Sequence, residues 1–191
     1  MSTSLVPPGP VRLDVPGRSL VLVAGLPGAG KSTLLAGLAG DPAVAVLDSQ
    51  TQRAAAGSRV PYGLVRPFVH LAHRAGVVAA AVFGPRCVLV HLPATAPGLR
   101  ATVRGLARLS GRDPHLVWVD ADPAQALRGQ HARGRTVRPE AFDRHVAAAD
   151  GLAGRLRRGE VDEGWASVRV LDRADTGRGL RVDTTPAAGP K

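Results

Sequence analysis

The residues best suited to chemistry stand in one short run, Gly25-Leu-Pro-Gly-Ala-Gly-Lys-Ser-Thr33. It fits G-x-x-x-x-G-K-[ST], with an apolar run from Ser19 to Ala24 before it and the start of a helix after it. Glycines at 25, 28 and 30, with Pro27 and Ala29 between them, let the backbone fold around an anion without Cβ clashes, so that successive N–H groups point at a β-phosphate. A helix opening at Lys31 adds its positive end. Lys31 can then reach the β- and γ-phosphates, the Ser32 hydroxyl is placed to ligate Mg2+, and Thr33 is a candidate α-phosphate contact. A plain strand-turn-helix would explain the glycines but not the lysine and the hydroxyls. The run predicts a site for ATP with Mg2+, and the absence of a guanine-reading N-K-x-D sequence leans the same way.

The elements that must hold this loop follow from the hydropathy pattern. Ser19 to Ala24 reads as a buried parallel strand and Ser32 to Leu38 as the start of a helix. Ala43 to Leu47 reads as a second strand whose end delivers Asp48, followed by a polar loop from Ser49 to Ser58. Leu64 to Val78 has helical spacing, Cys87 to His91 is a third strand, and Pro97 to Ser110 is a helix with Leu99, Val103 and Leu106 on one face. Leu116 to Val119 is a fourth strand ending at Asp120, Pro123 to Arg133 a helix that breaks at Gly134, and Pro139 to Arg158 a longer helix. Val168 to Leu171 is a fifth strand, with Leu180 to Val182 as a short sixth. Strands alternating with helices predict an α/β domain with a mostly parallel five-stranded sheet and helices on both faces.

A chain of 191 residues with 45% apolar residues has enough material for one such core. One domain is expected over residues 18–183, with flexible tails at 1–17, which holds four prolines, and 184–191. No apolar run reaches the roughly 18 residues of a membrane span, and Cys87 as the one cysteine excludes an internal disulfide. A soluble protein of the reducing cytoplasm, monomer or homodimer, is the expectation. The net charge of +10 points to an anionic partner, namely a phosphate ester, nucleic acid or an acidic membrane surface. Lysine occurs only at 31 and 191, so the charge is an arginine bias that composition alone can produce, and 3% aromatic content leaves few stacking platforms for single-stranded nucleic acid. His70 and His73 could share a helix face but lack companions for zinc. Arg100, Arg104 and Arg108 form a stripe, either solvated or, at Arg100, in touch with an anionic substrate.

With the loop in this context, the chain resembles the small P-loop kinases of the nucleoside-kinase-like group, such as polynucleotide kinase, gluconate kinase and zeta toxin, many of whose bacterial members are labelled AAA-type ATP-binding proteins. The resemblance spans about Arg18 to Arg173 and is specific only at the loop. It implies a three-layer P-loop NTPase fold with a small helical lid at about 123–140. By this resemblance Asp48, in Leu47-Asp-Ser-Gln50, takes the place of the aspartate that accepts the acceptor's proton; as a plain residue it would cap the following turn. The arginines of the lid are Arg128, Arg133, Arg135 and Arg138, of which Arg133 and Arg135 flank Gly134 and would stabilise the moving phosphoryl group or else be solvated surface. Arg173 would belong to the base-binding wall.

The third strand departs from the group's pattern, because it ends in His91-Leu92 where an aspartate that holds magnesium is usual, with Thr95 as the following hydroxyl. Either Asp48 helps Ser32 to hold the metal, or metal binding and catalysis are weakened. Three readings follow: an ATP-dependent phosphotransferase acting on an anionic or hydroxyl-bearing small molecule, a nucleotide-binding switch or slow ATPase, and a nucleic-acid 5′-end kinase or binding protein.

Overall fold

Strand β2 (Ser19–Gly25) is buried at every position, which a strand achieves only between two neighbours and under two layers. A computed structural model describes residues 9–15, 17–38, 41–48, 74–134, 136–161 and 163–184. Within them the strands are β1 (Val11–Asp14), β2, β3 (Val44–Asp48), β4 (Cys87–His91), β5 (Asp113–Asp120), β6 (Ser167–Asp172) and β7 (Leu180–Asp183). The helices are α1 (Lys31–Leu35), α2 (residues 74–83), α3 (Pro97–Leu109), α4 (Pro123–His131), α5 (Pro139–Ala149) and α6 (Leu152–Arg157), with 3-10 turns at Ala36–Leu38 and Arg173–Arg178. Five strands form one parallel sheet in the order β3-β4-β2-β5-β6. The chain leaves β2 for one side, returns through β4, and crosses to β5 on the other, so the crevice at the C-terminal end of β2 is where such sheets bind ligands.

Alternate residues of β2 feed two cores. Val21 and Val23 face Leu34, Leu35, Ala126 and Phe142, and Leu20 and Leu22 face Val77, Val103, Leu152 and Leu156. Burial of each such side chain contributes about 1.5–3 kcal/mol, which is why the central strand, and not the short α1, fixes where the loop sits. Cys87 is fully buried, and burial pushes its thiol up to about 12, so it is an inert core residue. Among the described residues no helix is long and apolar enough to cross a membrane.

The elements differ from the sequence expectation in four places. Residues 11–14 of the expected tail form β1, which pairs in parallel with β7 and buries Val11, Leu13 and Val15 against the loop-side core. The period-2 alternation Val11-Arg-Leu-Asp-Val15 was present in the sequence but lay among prolines. Consequently β7 belongs to a two-stranded sheet with β1 and not to the main sheet. The expected helix Pro139 to Arg158 is two helices, because Gly151 takes φ 64 between them. The helix after the loop is α-helical only to Leu35 and tightens to a 3-10 turn. Helix 64–78 lies mostly outside the described residues, as do the loop 49–58 and His70 and His73; the described helix there is α2, at 74–83.

At the opposite edge of the sheet from the loop, His115 of β5 bridges two neighbouring strands. Its Nε2 lies 3.3 Å from Ser19 Oγ and its Nδ1 2.8 Å from Ser167 Oγ. Burial lowers its pKa, partly opposed by Asp113, so the folded protein keeps the ring neutral while the unfolded chain takes up a proton near the ordinary value of about 6.5. Stability from this site is therefore intact above that value and is lost as pH falls below it. Urea unfolding across the range from about pH 8 to pH 5 should show a decline below about pH 6.5 that His115→Gln makes shallower, the remaining slope including His145, whose pKa is lowered in the same direction.

Candidate active site

The loop between β2 and α1 is closed in by three elements that leave no room for a Cβ. Gly25, Gly28 and Gly30 take φ 138, 89 and 103. A Cβ would lie 2.3 Å from Val119 O at Gly25, 2.0 Å from Ala126 O at Gly28 and 2.7 Å from Thr176 Oγ1 at Gly30. Gly28 O accepts from Arg173 Nη1 at 2.6 Å and Pro27 O from Gln130 Nε2 at 3.2 Å, so side chains from beyond β6 and from α4 hold the outside of the loop. The N–H groups of Gly28, Gly30, Lys31 and Ser32 have no acceptor among the described residues. Such a run of unspent donors is a nest for an anion. α1 is too short for its dipole to dominate, so the attraction comes mainly from these donors and from Lys31.

Lys31 is 4% exposed, and its Nζ donates to Gly25 O at 2.9 Å and Leu26 O at 2.8 Å. Burial lowers its pKa to about 7, with Asp48 opposing and the Arg133 charge adding to the effect. An ammonium in this position gains from an anionic neighbour, which a phosphate would supply. Asp48, at the end of β3, stands with its Oδ2 3.5 Å from Ser32 Oγ. Its Oδ1 lies 3.1 Å from Nδ1 of His91, its register partner on β4, but off the line of a ring N–H bond, so this is a close approach and not a hydrogen bond. Thr95, just beyond β4, has its Oγ1 2.9 Å from His145 Nδ1 on α5. Arg133, after α4, reaches back to donate from Nη2 to Thr33 Oγ1 at 2.8 Å. Gly28, Lys31, Ser32, His91, Arg133 and His145, among others, line a cavity of about 300 Å3, while Asp48, Thr33 and Thr95 touch its lining residues without being part of it.

The expected site residues divide accordingly. Pro27, Gly28, Gly30, Lys31, Ser32 and Arg133 line one cavity, with Asp48 against Ser32, while Ala29 is fully buried beneath the loop and Gly25 closes its start. Arg173 is bound to the Gly28 carbonyl, a brace for the loop; it also lines a separate cleft of about 280 Å3 with Asp120, Asp122 and Gln125. Arg128 is exposed on α4 and does not line the phosphate cavity, and Arg135 lies outside the described residues. The expected contact of Arg100 with an anionic substrate gives way to a buried pair. Arg100 is 3% exposed and donates to Glu163 from Nε and Nη2, the latter at 2.6 Å. Burial alone would raise the Glu163 carboxyl, but hydrogen bonds from Arg100 and Trp165 and the charges of Arg100 and Arg104 outweigh it and hold it low. His145 and Gln130 went unnoticed in the sequence because neither forms part of a local pattern.

Among the described residues no group of three or more His, Cys, Asp or Glu could hold a metal. The donors present, a serine hydroxyl and a carboxylate side by side, suit Mg2+, which keeps several waters and takes phosphate oxygens for the rest. The steric reading of the loop is checked by two alanine substitutions. Gly28→Ala should cost upwards of about 1–3 kcal/mol through strain and contact with Ala126, whereas Gly37→Ala, which meets open space in the 3-10 turn, should shift stability by less than about 1 kcal/mol. Equal costs in urea titrations would show that the loop has slack.

The resulting architecture can be set beside known proteins. A structure from the PezAT chromosomal toxin-antitoxin system of Streptococcus pneumoniae is similar at 15% identity and TM-score 0.59, covering 83% of this chain and 69% of that one. A gluconokinase from Sinorhizobium meliloti 1021 is similar at 14% identity and TM-score 0.51, covering 84% of this chain and 87% of that one. At such identities the likeness is one of fold, a kinase-like P-loop fold with a mostly parallel five-stranded sheet. No curated protein matches the chain. The family profile of the AAA domain matches residues 20–156, which takes in the loop, Asp48, β4 and the α4–α5 segment, and the chain belongs to that family.

Proposed function

We propose that this protein binds Mg-ATP and transfers its γ-phosphoryl group to a hydroxyl on a small acceptor. The observation that carries this reading is the carboxylate of Asp48 beside Ser32 at the mouth of the phosphate loop. In a kinase a carboxylate at that place orients the acceptor and takes its proton, and it can also help the loop hydroxyl to hold the metal.

In this reading the orphan N–H groups of the loop and Lys31 hold the β- and γ-phosphates. Ser32 and Asp48 are the residues that would hold Mg2+, which when bound would neutralise charge on the phosphate oxygens. The acceptor oxygen attacks the γ-phosphorus, its proton passes to Asp48, and the bond to the bridging oxygen breaks to release ADP. Arg133 already spans from the lid to Thr33, so a small shift would place its guanidinium on the departing phosphoryl group, and Arg135 and Arg128 are candidates to join it when the lid closes. Arg173 acts from outside by fixing Gly28. A cavity with Lys31, Arg133 and two imidazoles favours an acceptor that carries its own negative charge.

A second reading, a nucleotide switch or slow ATPase, is favoured by His91, which stands where a magnesium-holding carboxylate would otherwise end β4. An acceptor that accelerates ATP turnover distinguishes the kinase from the switch.

Thermal unfolding with and without Mg-ATP tests the site. Ligand at about a hundred times its dissociation constant should add about 2.7 kcal/mol and raise Tm by several degrees, and Lys31→Ala should abolish the shift. Asp48→Asn should lower turnover by about 10²–10⁴-fold while ATP still binds; unchanged turnover would return Asp48 to a structural role.

A further inference from the structure

His145 belongs to neither the loop pattern nor the lid, yet it lines the same cavity as Lys31 and Arg133. Its orientation is set from the core outward. Arg100 is fixed by Glu163, with Nε 3.0 and 3.1 Å from the two carboxylate oxygens, and its Nη1 donates to Ala94 O at 3.1 Å and Thr95 O at 2.6 Å. This holds the turn after β4, where Ala94 takes φ 38, and leaves Thr95 only 3% exposed. Thr95 Oγ1 then meets His145 Nδ1 at 2.9 Å. A buried ion pair and a backbone turn thus hold the hydroxyl that meets one imidazole nitrogen of a ring that lines the cavity.

Burial, with the charges of Lys31 and Arg144, lowers the His145 pKa and keeps the ring neutral. A neutral imidazole carries one N–H. A threonine hydroxyl that donates to Nδ1 puts that proton on Nε2, so the ring can donate to an anion without adding a charge to a cavity that already holds two cations. The side of the cavity also matters. Arg173 braces the loop at Gly28, whereas Thr95 follows the strand that sets His91 beside Asp48, the side on which a terminal phosphate would meet its acceptor.

We propose that His145 is a γ-phosphate contact, its Nε2–H donating to a terminal phosphate oxygen while the Thr95 hydroxyl donates to its Nδ1. The proposal rests on the reading of the cavity as an ATP site, and goes beyond it by assigning a residue that separates ATP from ADP. Calorimetric titration of the full chain with ATP and with ADP, each with magnesium, tests it on the natural protein and on His145→Ala, Thr95→Val, Thr95→Ser and the double variant His145→Ala/Thr95→Val. His145→Ala should weaken ATP by roughly tenfold or more and leave ADP unchanged. Thr95→Val should give a similar selective loss, Thr95→Ser should restore affinity, and the double variant should be no worse than His145→Ala. Unchanged ADP affinity also reports that each variant is folded. If ATP and ADP weaken together, or neither changes while Lys31→Ala loses both, His145 is no γ-phosphate contact and the ATP reading stands. If the natural protein binds neither nucleotide, the ATP reading fails and this assignment fails with it.

Discussion

The rest of the structure depends on how tightly the phosphate loop is enclosed. Val119 from β5, Ala126 from α4 and Thr176 from the turn after β6 each come within contact distance of the place where a side chain would start. Only glycine satisfies both the backbone angles and this approach, so β5, α4 and the 173–178 turn can close around the loop only while these positions carry no side chain. The same enclosure buries Lys31 and leaves a row of N–H groups without acceptors among the described residues. Local strain of this kind is a cost that the two cores on either side of β2 must offset, and the free donors are groups an anion would engage.

The arginines divide into two populations, which changes the meaning of the net charge of +10. Some are internal fasteners. Arg112 is 3% exposed and donates to carbonyls of Ser19, Ala80, Ala81, Gly84, Pro85 and Arg86, joining the end of α2 to the start of β2 and β4. Arg100 does the same for the turn after β4, and Arg173 for the loop. A planar guanidinium with five donors suits these carbonyl clusters as an ammonium would not. Charge spent in this way says little about a nucleic-acid surface, and the arginine that does face the phosphate cavity, Arg133, is one of a few cations there.

The end of β4 is where this chain settles its own chemistry. His91 lies beside Asp48 in register, so the carboxylate at the loop stands between a hydroxyl and an imidazole and not next to a second carboxylate. Less negative charge at this position means a weaker hold on a divalent cation and a cavity more hospitable to anions. Thr95 and His145 complete that side, and they do so through a turn held by Arg100, itself paired with Glu163, and by backbone hydrogen bonds of Leu92 and Pro93 to β2 and Gly25.

Much of this was legible in the residues themselves. The loop from Gly25 to Thr33, the strand before it, and the carboxylate at the end of the next strand follow from local pattern, because a glycine's freedom, a strand's apolar run and a helix's start are set by neighbours in the chain. The alternation at Val11, Leu13 and Val15 was equally local, but the prolines around it read as a tail, and its burial follows from pairing with β7, about 170 residues away in the chain. The contacts of Arg100 with Glu163, Thr95 with His145 and Arg173 with Gly28 were invisible for the same reason: each joins residues that sequence spacing leaves independent. The sequence by itself determined that a phosphate loop is present and which side chains it carries. Only the tertiary structure decided which distant arginines and histidines face that loop, since side chains far apart in the chain meet only when the sheet brings its strand ends to one edge.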